Sequence, residues 1–284
     1  MIRHASIVSL VVLCAGGTAA ADLNQFNTSD GYMSPFATSV WTYNPLWSFD
    51  GGALGSNYVS QHGYGSGGAF AAPFGLVVRN DAPAGNFRFS YDFTSFDLGG
   101  ANPNSISGPG SSVTITFDVQ PVFFQNSMVN NNSPMLTMGF GGTATNPGVR
   151  LGFSDNNNLM YSDAFGNLQT HTANPIFTNW HRIALTMYFD TSTYDLVVQQ
   201  LQTNPGMESS TYTPFATWNI GTGLPMANAL TSMAELHWEV FTDPENNLGW
   251  HKGFFDNFGG HYVPAPGAAA LLGLGMLGAM RRRR

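Results

Sequence analysis

Trp180-His181-Arg182-Ile183-Ala184-Leu185-Thr186-Met187-Tyr188-Phe189-Asp190-Thr191-Ser192-Thr193-Tyr194-Asp195-Leu196-Val197-Val198 carries the plainest structural signal in the chain. Ile183, Leu185, Met187 and Phe189 alternate with Arg182, Ala184, Thr186 and Tyr188, a period of two that gives an extended strand one apolar face. Asp190 to Thr193 then supplies four turn-forming residues, and Tyr194 opens a returning strand, so the segment predicts a β-hairpin. Working outward, the same reading predicts strands at Phe87–Phe93, Val113–Val119, Leu136–Phe140, Val149–Phe153, Leu159–Ser162, Ala234–Phe241 and Gly253–Phe258. The longest helix-permissive stretch, Pro225 to Met233, is short and follows Gly-Leu-Pro, which allows one turn at most. Residues 22–262 therefore read as one all-β domain without internal repeats. The glycine- and serine-rich stretches 63–68 and 99–112 read as loops within it.

The composition supports a packed domain and excludes other classes. Of 284 residues, 43% are hydrophobic and only 10% charged, which rules against a charge-rich disordered chain or a long coiled coil. Five of the ten basic residues, Arg3 and Arg281 to Arg284, sit at the extremities. Between residues 22 and 262 all 17 acids face Arg79, Arg88, Arg150, Arg182 and Lys252, and five against 17 leaves a net charge of −12. Such a surface repels phosphate backbones, so nucleic acid is not an expected partner.

Both termini carry export-related patterns. Residues 1–21 combine a basic start (Arg3, His4), an apolar run from Ile7 to Leu13 and the small residues Ala19-Ala20-Ala21, the order of a secretory signal peptide with its short helix. Its removal takes away Cys14, the single cysteine, and leaves a mature domain held without disulfides. The bulky Leu13 before that cysteine argues against lipoprotein-type modification. At the other end, Val263-Pro264-Ala265-Pro266-Gly267 leads into Ala268 to Met280, a short apolar helix, and then into Arg281, Arg282, Arg283 and Arg284. From Gly267 to Met280 a helix would reach roughly 21 Å, short of the roughly 30 Å hydrocarbon core. An arginine cluster behind an apolar run stays on the cytoplasmic side, which places the acidic domain outside, as the signal peptide also requires.

Two resemblances follow from these residues. The tail at residues 263–284 resembles the PEP-CTERM sorting signal, with Val263, Pro264, Ala265 and Pro266 as its motif and an alanine where that family has a central acid. The resemblance implies an exosortase-type processing enzyme as partner, a transient anchor in the inner membrane and a destination at the cell envelope or beyond. A permanent single-span anchor is the other reading of the same tail. The hairpin W-x-R-I-x-L…Y-D-L-x-V at residues 180–198, together with Phe254-Phe255-Asp256-Asn257-Phe258, resembles concanavalin-A-like and laminin-G-like domains. It implies a single jelly-roll β-sandwich, an architecture that carries lectins, glycosidases and adhesive domains alike.

The candidate chemistry is limited. Glu235-Leu236-His237-Trp238-Glu239 would place both carboxylates and the imidazole on one strand face. It resembles the E-x-D-x-E strand of laminarinase-like enzymes, whose two carboxylates act as acid and nucleophile. Here histidine replaces the aspartate that supports the nucleophile, and one strand follows where that family has more; the alternative is simply a polar strand face. Trp41, Tyr43, Trp47, Tyr58, Tyr64 and Trp250 fall in loop-like sequence. Their rings would suit the C–H faces of sugars, with packing as the alternative, whereas Trp180 and Trp238 fall within strands and read as core. Ser154-Asp155-Asn156-Asn157-Asn158 offers Asp155 as a Ca²⁺ ligand, or else an Asn-rich turn. The histidines have no zinc spacing, and no other cofactor is implied. The sequence thus points to a non-catalytic surface or matrix protein with polysaccharide as its candidate partner, and to a jelly-roll glycoside hydrolase using Glu235 and Glu239 as the alternative.

Overall fold

The computed structural model describes residues 47–50, 58–63, 74–80, 87–92, 98, 102–106, 110–123, 134–143, 145–154, 158–175, 180–201, 214–230, 233, 235–240 and 251–263. They form fourteen strands: β1 Trp47–Asp50, β2 Tyr58–Gly63, β3 Phe74–Asn80, β4 Phe87–Asp92, β5 Ser112–Phe123, β6 Pro134–Thr143, β7 Asn146–Ser154, β8 Asn158–Ser162, β9 Leu168–Pro175, β10 His181–Tyr188, β11 Thr193–Leu201, β12 Pro214–Pro225, β13 Glu235–Val240 and β14 His251–Val263. The helical content among the described residues is the single 3-10 turn Pro103–Ser105, capped by the Asn102 side chain, which accepts from the Asn104 N–H.

The hairpin forms as its alternation requires. Tyr188 pairs with Thr193 and His181 with Gln200, and along β10 the residues from His181 to Tyr188 alternate buried and half-buried. The turn places Ser192 at a φ of 52°, a left-handed conformation. From this hairpin a seven-stranded antiparallel sheet extends in the order β12-β11-β10-β5-β14-β3-β2, and a second follows the order β1-β4-β13-β6-β7-β8-β9. β6 lies against β14 and β13 against β3, so the sheets stack face to face. This is the single jelly-roll sandwich that the sequence predicts. All seven strands predicted beyond the hairpin coincide with observed strands, five lying wholly within them, while Phe87–Phe93 and Ala234–Phe241 run past the described bounds of β4 and β13 by one residue and by one at each end.

The core lies between the sheets. Val113, Ile115, Phe117 and Val119 of β5 face Leu136, Met138 and Phe140 of β6 and Val149, Leu151 and Phe153 of β7, all nearly inaccessible to water. Burial of these side chains is the main stabilising term, on the order of 2 kcal/mol each before chain entropy is charged. In β14 the spacing Phe255-Asp256-Asn257-Phe258 breaks strict alternation, because Phe255 and Phe258 are both buried. A register shift between Asp256 and Gly259 accommodates the odd spacing as a bulge.

One polar bond ties the layers. The Tyr194 hydroxyl, on a fully buried side chain of β11, donates to the Ser162 carbonyl of β8 at 2.6 Å. Burial pushes this phenol up to about 12, the Ser162 bond opposing it. The raised value means that its stabilising contribution is complete below the ordinary value near 10 and is lost as the pH climbs from there through about 12. Tyr194→Phe is expected to cost about 1 kcal/mol in urea unfolding at pH 7 and to remove that part of the alkaline loss. An unchanged alkaline profile in the variant would refute the assignment.

The structure corrects one sequence expectation. Trp47 and Tyr58 do not lie in loops but in β1 and β2, the edge strands of the two sheets. Trp180, expected in the core, is 4% exposed. Trp41, Tyr43, Tyr64, Trp250, Asp155, the signal segment 1–21 and residues 264–284 lie outside the described residues.

Candidate functional site

β13 is flanked by β4 and β6, and register determines what stands beside its polar positions. Leu236 pairs with Phe140 and Tyr91, on the core side. His237 and Glu239, at the opposite parity, belong to the outer face of this sheet. His237 stands between Ser90 and Gly139, Glu239 between Arg88 and Thr137, and Glu235 opposite Asp92. A polar row thus crosses three strands on the side facing away from the apolar core.

The row is largely covered. His237 is 5% exposed, Glu239 and Ser90 7% each and Thr137 2%, while Asp92 is exposed at the margin. Ser90 Oγ lies 2.7 Å from His237 Nδ1. Burial drives the His237 imidazole below the usual histidine value, and the Gly142 backbone and the Asp92 carboxylate offset this only in part. The ring is therefore neutral at pH 7, with one nitrogen to donate and one to accept. Because the folded value is lowered, the associated stability is present above the ordinary value near 6.5 and declines as pH falls through the folded one. Gly139 keeps the floor beside His237 flat, since a Cβ there would meet the Pro147 ring at 2.8 Å.

Glu235 and Glu239 both belong to β13, four residue steps and roughly 13 Å apart between their Cα atoms, with His237 midway. Of the aromatic candidates, Trp47 pairs with Tyr91 of β4 and Tyr58 with Arg79 of β3, in different sheets. Sequence reasoning missed Ser90 and Thr137. They are 147 and 102 positions from the residues that they adjoin on β13, and no local pattern announces that pairing. Among the described residues no group of three or more His, Cys, Asp or Glu is placed to hold a metal ion, and no helix is long and apolar enough to cross a membrane.

No protein family and no curated protein sequence matches the chain. Solved structures with a similar chain path include a sialidase (7% identity, TM-score 0.49), of which this chain covers 19% with 88% of its own length. They also include the catalytic domain of a glycoside hydrolase family 131 protein from Coprinopsis cinerea (12% identity, TM-score 0.46, 87% of this chain and 95% of that one). A third is lectin I from Ulex europaeus in complex with the methyl glycoside of α-L-fucose (10% identity, TM-score 0.43, 81% and 95%). At these identities the likeness concerns the path of the chain and not its activity.

Proposed function

We propose that this chain is an exported, non-catalytic polysaccharide-binding protein of the cell surface or extracellular matrix. The reading rests on one observation: the polar row Ser90, His237, Glu239 and Thr137 on the outer face of the sheet, back to back with an apolar face. These side chains are 2–7% exposed, so they set the polarity beneath the face, and a glycan would meet that face at its exposed margin, where Asp92 stands. The net charge of −12 between residues 22 and 262 favours a neutral polymer over a polyanionic one. In this reading the signal peptide exports the chain, and the tail at 263–284 holds it in the inner membrane until an exosortase-type enzyme processes it.

That one strand, β13, carries both Glu235 and Glu239 favours a second reading, glycoside hydrolysis with these two as acid and nucleophile. One experiment separates the two. Residues 22–262 are run through gels loaded with single polysaccharides, with and without Ca²⁺, beside a Glu235→Gln/Glu239→Gln double variant, and sugar release is assayed in parallel. Binding without hydrolysis predicts retardation by at least one neutral polymer and no sugar release from either protein. Release by the parent that disappears in the double variant would establish the hydrolase instead. Absence of retardation on every gel would sink the glycan reading.

A further inference from the structure

Two large hydrophobic side chains are exposed among the described residues: Phe165, at 87%, and Val263, at 40%. Both lie at one end of the sandwich. Val263 is the last residue of β14 and pairs with Ser112, the first residue of β5, which also pairs with Tyr188 beside the β10–β11 turn. Phe165 occupies the β8–β9 turn, between Ser162 and Leu168. The segment after β12 joins the two places: the Met226 N–H donates to the Ser192 carbonyl and the Ala227 N–H to the Gly148 carbonyl, and a Cβ on Gly166 would stand 3.5 Å from Ala227.

The Phe165 ring is held out. Asp163 Oδ1 accepts from the N–H groups of Phe165 at 2.8 Å and Asn167 at 3.0 Å, and Oδ2 accepts from the Gln169 amide at 2.9 Å. The Gly166 N–H closes the turn on the Asp163 carbonyl at 3.0 Å, with Gly166 at a φ of 80°. These bonds occupy the carboxylate nearest the ring and fix the turn, so Phe165 stays at its apex. The fixed turn thus presents an aromatic ring to the surroundings at a defined place, where an outside surface can receive it.

The chain beyond Val263 indicates what that is. The apolar run opens at Gly267, four residues on, and the fully extended reach of four residues is about 14 Å. A bilayer that receives residues 267–280, with Arg281 to Arg284 on its far side, therefore lies close against this end of the sandwich. We propose that the end carrying Phe165 and Val263 is a membrane-docking face, with Phe165 seated in the lipid headgroup region while the tail is inserted. The proposal rests on the membrane reading of the tail given above. It also orients the domain: the opposite end, where β10 begins at His181 and β11 ends at Leu201, faces away from the lipid.

The test uses the full chain with Cys14→Ser, so that an introduced cysteine is its sole thiol. Phe165→Cys, or Thr217→Cys on the exposed surface of β12, carries an environment-sensitive fluorophore. Both are added to vesicles of phosphatidylethanolamine and phosphatidylglycerol with brominated acyl chains, and association is measured separately by flotation. Flotation with quenching at position 165 at least about twofold that at position 217 supports the docking face. Flotation with equal quenching at the two positions overturns it and leaves the tail reading intact. Failure to float overturns both.

Discussion

Arg182→Ala is expected to destabilise the domain by about 3 kcal/mol, read as a fall in the urea midpoint at unchanged slope. Asp118 sits on β5 between the inward-facing Phe117 and Val119, so alternation turns it to the outer face, yet it is 0% exposed. Arg182, its register partner on β10, donates from Nε to Oδ1 at 2.8 Å and from Nη2 to Oδ2 at 2.9 Å, a two-pronged pairing. Removing the guanidinium takes both of these bonds from a carboxylate that is fully buried. A wholly buried pair broken on one side costs 3–5 kcal/mol, and the 26% exposure of Arg182 lets water reach the gap, which puts the loss at the lower end of about 3. Arg182→Lys should recover only part, because an ammonium cannot make the two parallel bonds. The double variant Arg182→Ala/Asp118→Ala should be more stable than Arg182→Ala alone. A loss below about 1 kcal/mol in Arg182→Ala would show that the pair behaves as an exposed one and that the account of Asp118 is wrong.

The strands that sequence reading found and those that it missed divide along a physical line. Four of the five missed strands, β1, β2, β9 and β12, are the edges of the two sheets, and β3 is the neighbour of β2. A central strand such as β5 or β10 must fill a core position at every second residue, which writes the alternation into the sequence. An edge strand is relieved of part of that demand and of one ladder of hydrogen bonds. β12 accordingly begins and ends in proline and holds two glycines, and β9 reads Leu-Gln-Thr-His-Thr-Ala-Asn-Pro, with little apolar character. The half-buried Ala216, Trp218 and Ile220 still alternate with the exposed Thr217 and Asn219, a pattern hidden by that punctuation.

The candidate site was legible in one dimension only. Period-two alternation sufficed to put His237 and Glu239 on one face, because that statement concerns a single strand. Ser90 beside His237 and Thr137 beside Glu239 depend on the placement of β13 between β4 and β6, which no sequence pattern on β13 specifies. Loop-like composition also misplaced Trp47 and Tyr58: glycine-rich flanks were read as loops where short edge strands form. The exposed Phe165 was not legible either. Its surroundings, Ser-Asp-Ala-Phe-Gly-Asn, give the turn and nothing about what lies next to it in space.

The largest single loss is expected for Phe117→Ala, about 4 kcal/mol, because Phe117 is where both sheets and the bulged strand meet. Its ring lies 6.1 Å from that of Phe140 in the facing sheet and 6.3 Å and 5.7 Å from those of Phe255 and Phe258 on adjacent β14, and it is 1% exposed. Truncation removes the ring's transfer free energy and leaves a cavity that Phe140 and Phe255 can fill only by moving the sheets that carry them. Phe117→Leu preserves most of the volume and should cost about 1.5 kcal/mol. The contrast with Phe258 is the informative part, since that side chain reaches the core only because the bulge resets the register of β14. If the bulge exists to seat it, losses from Phe117→Ala and Phe258→Ala are not additive, and the double variant falls short of their sum by about 1 kcal/mol. With a domain of ordinary stability, 5–15 kcal/mol, Phe117→Ala alone brings the chain near its folding limit, so the cycle is best measured by urea titration at low temperature. Strict additivity would mean that Phe258 packs independently of Phe117, and the bulge would then need another explanation.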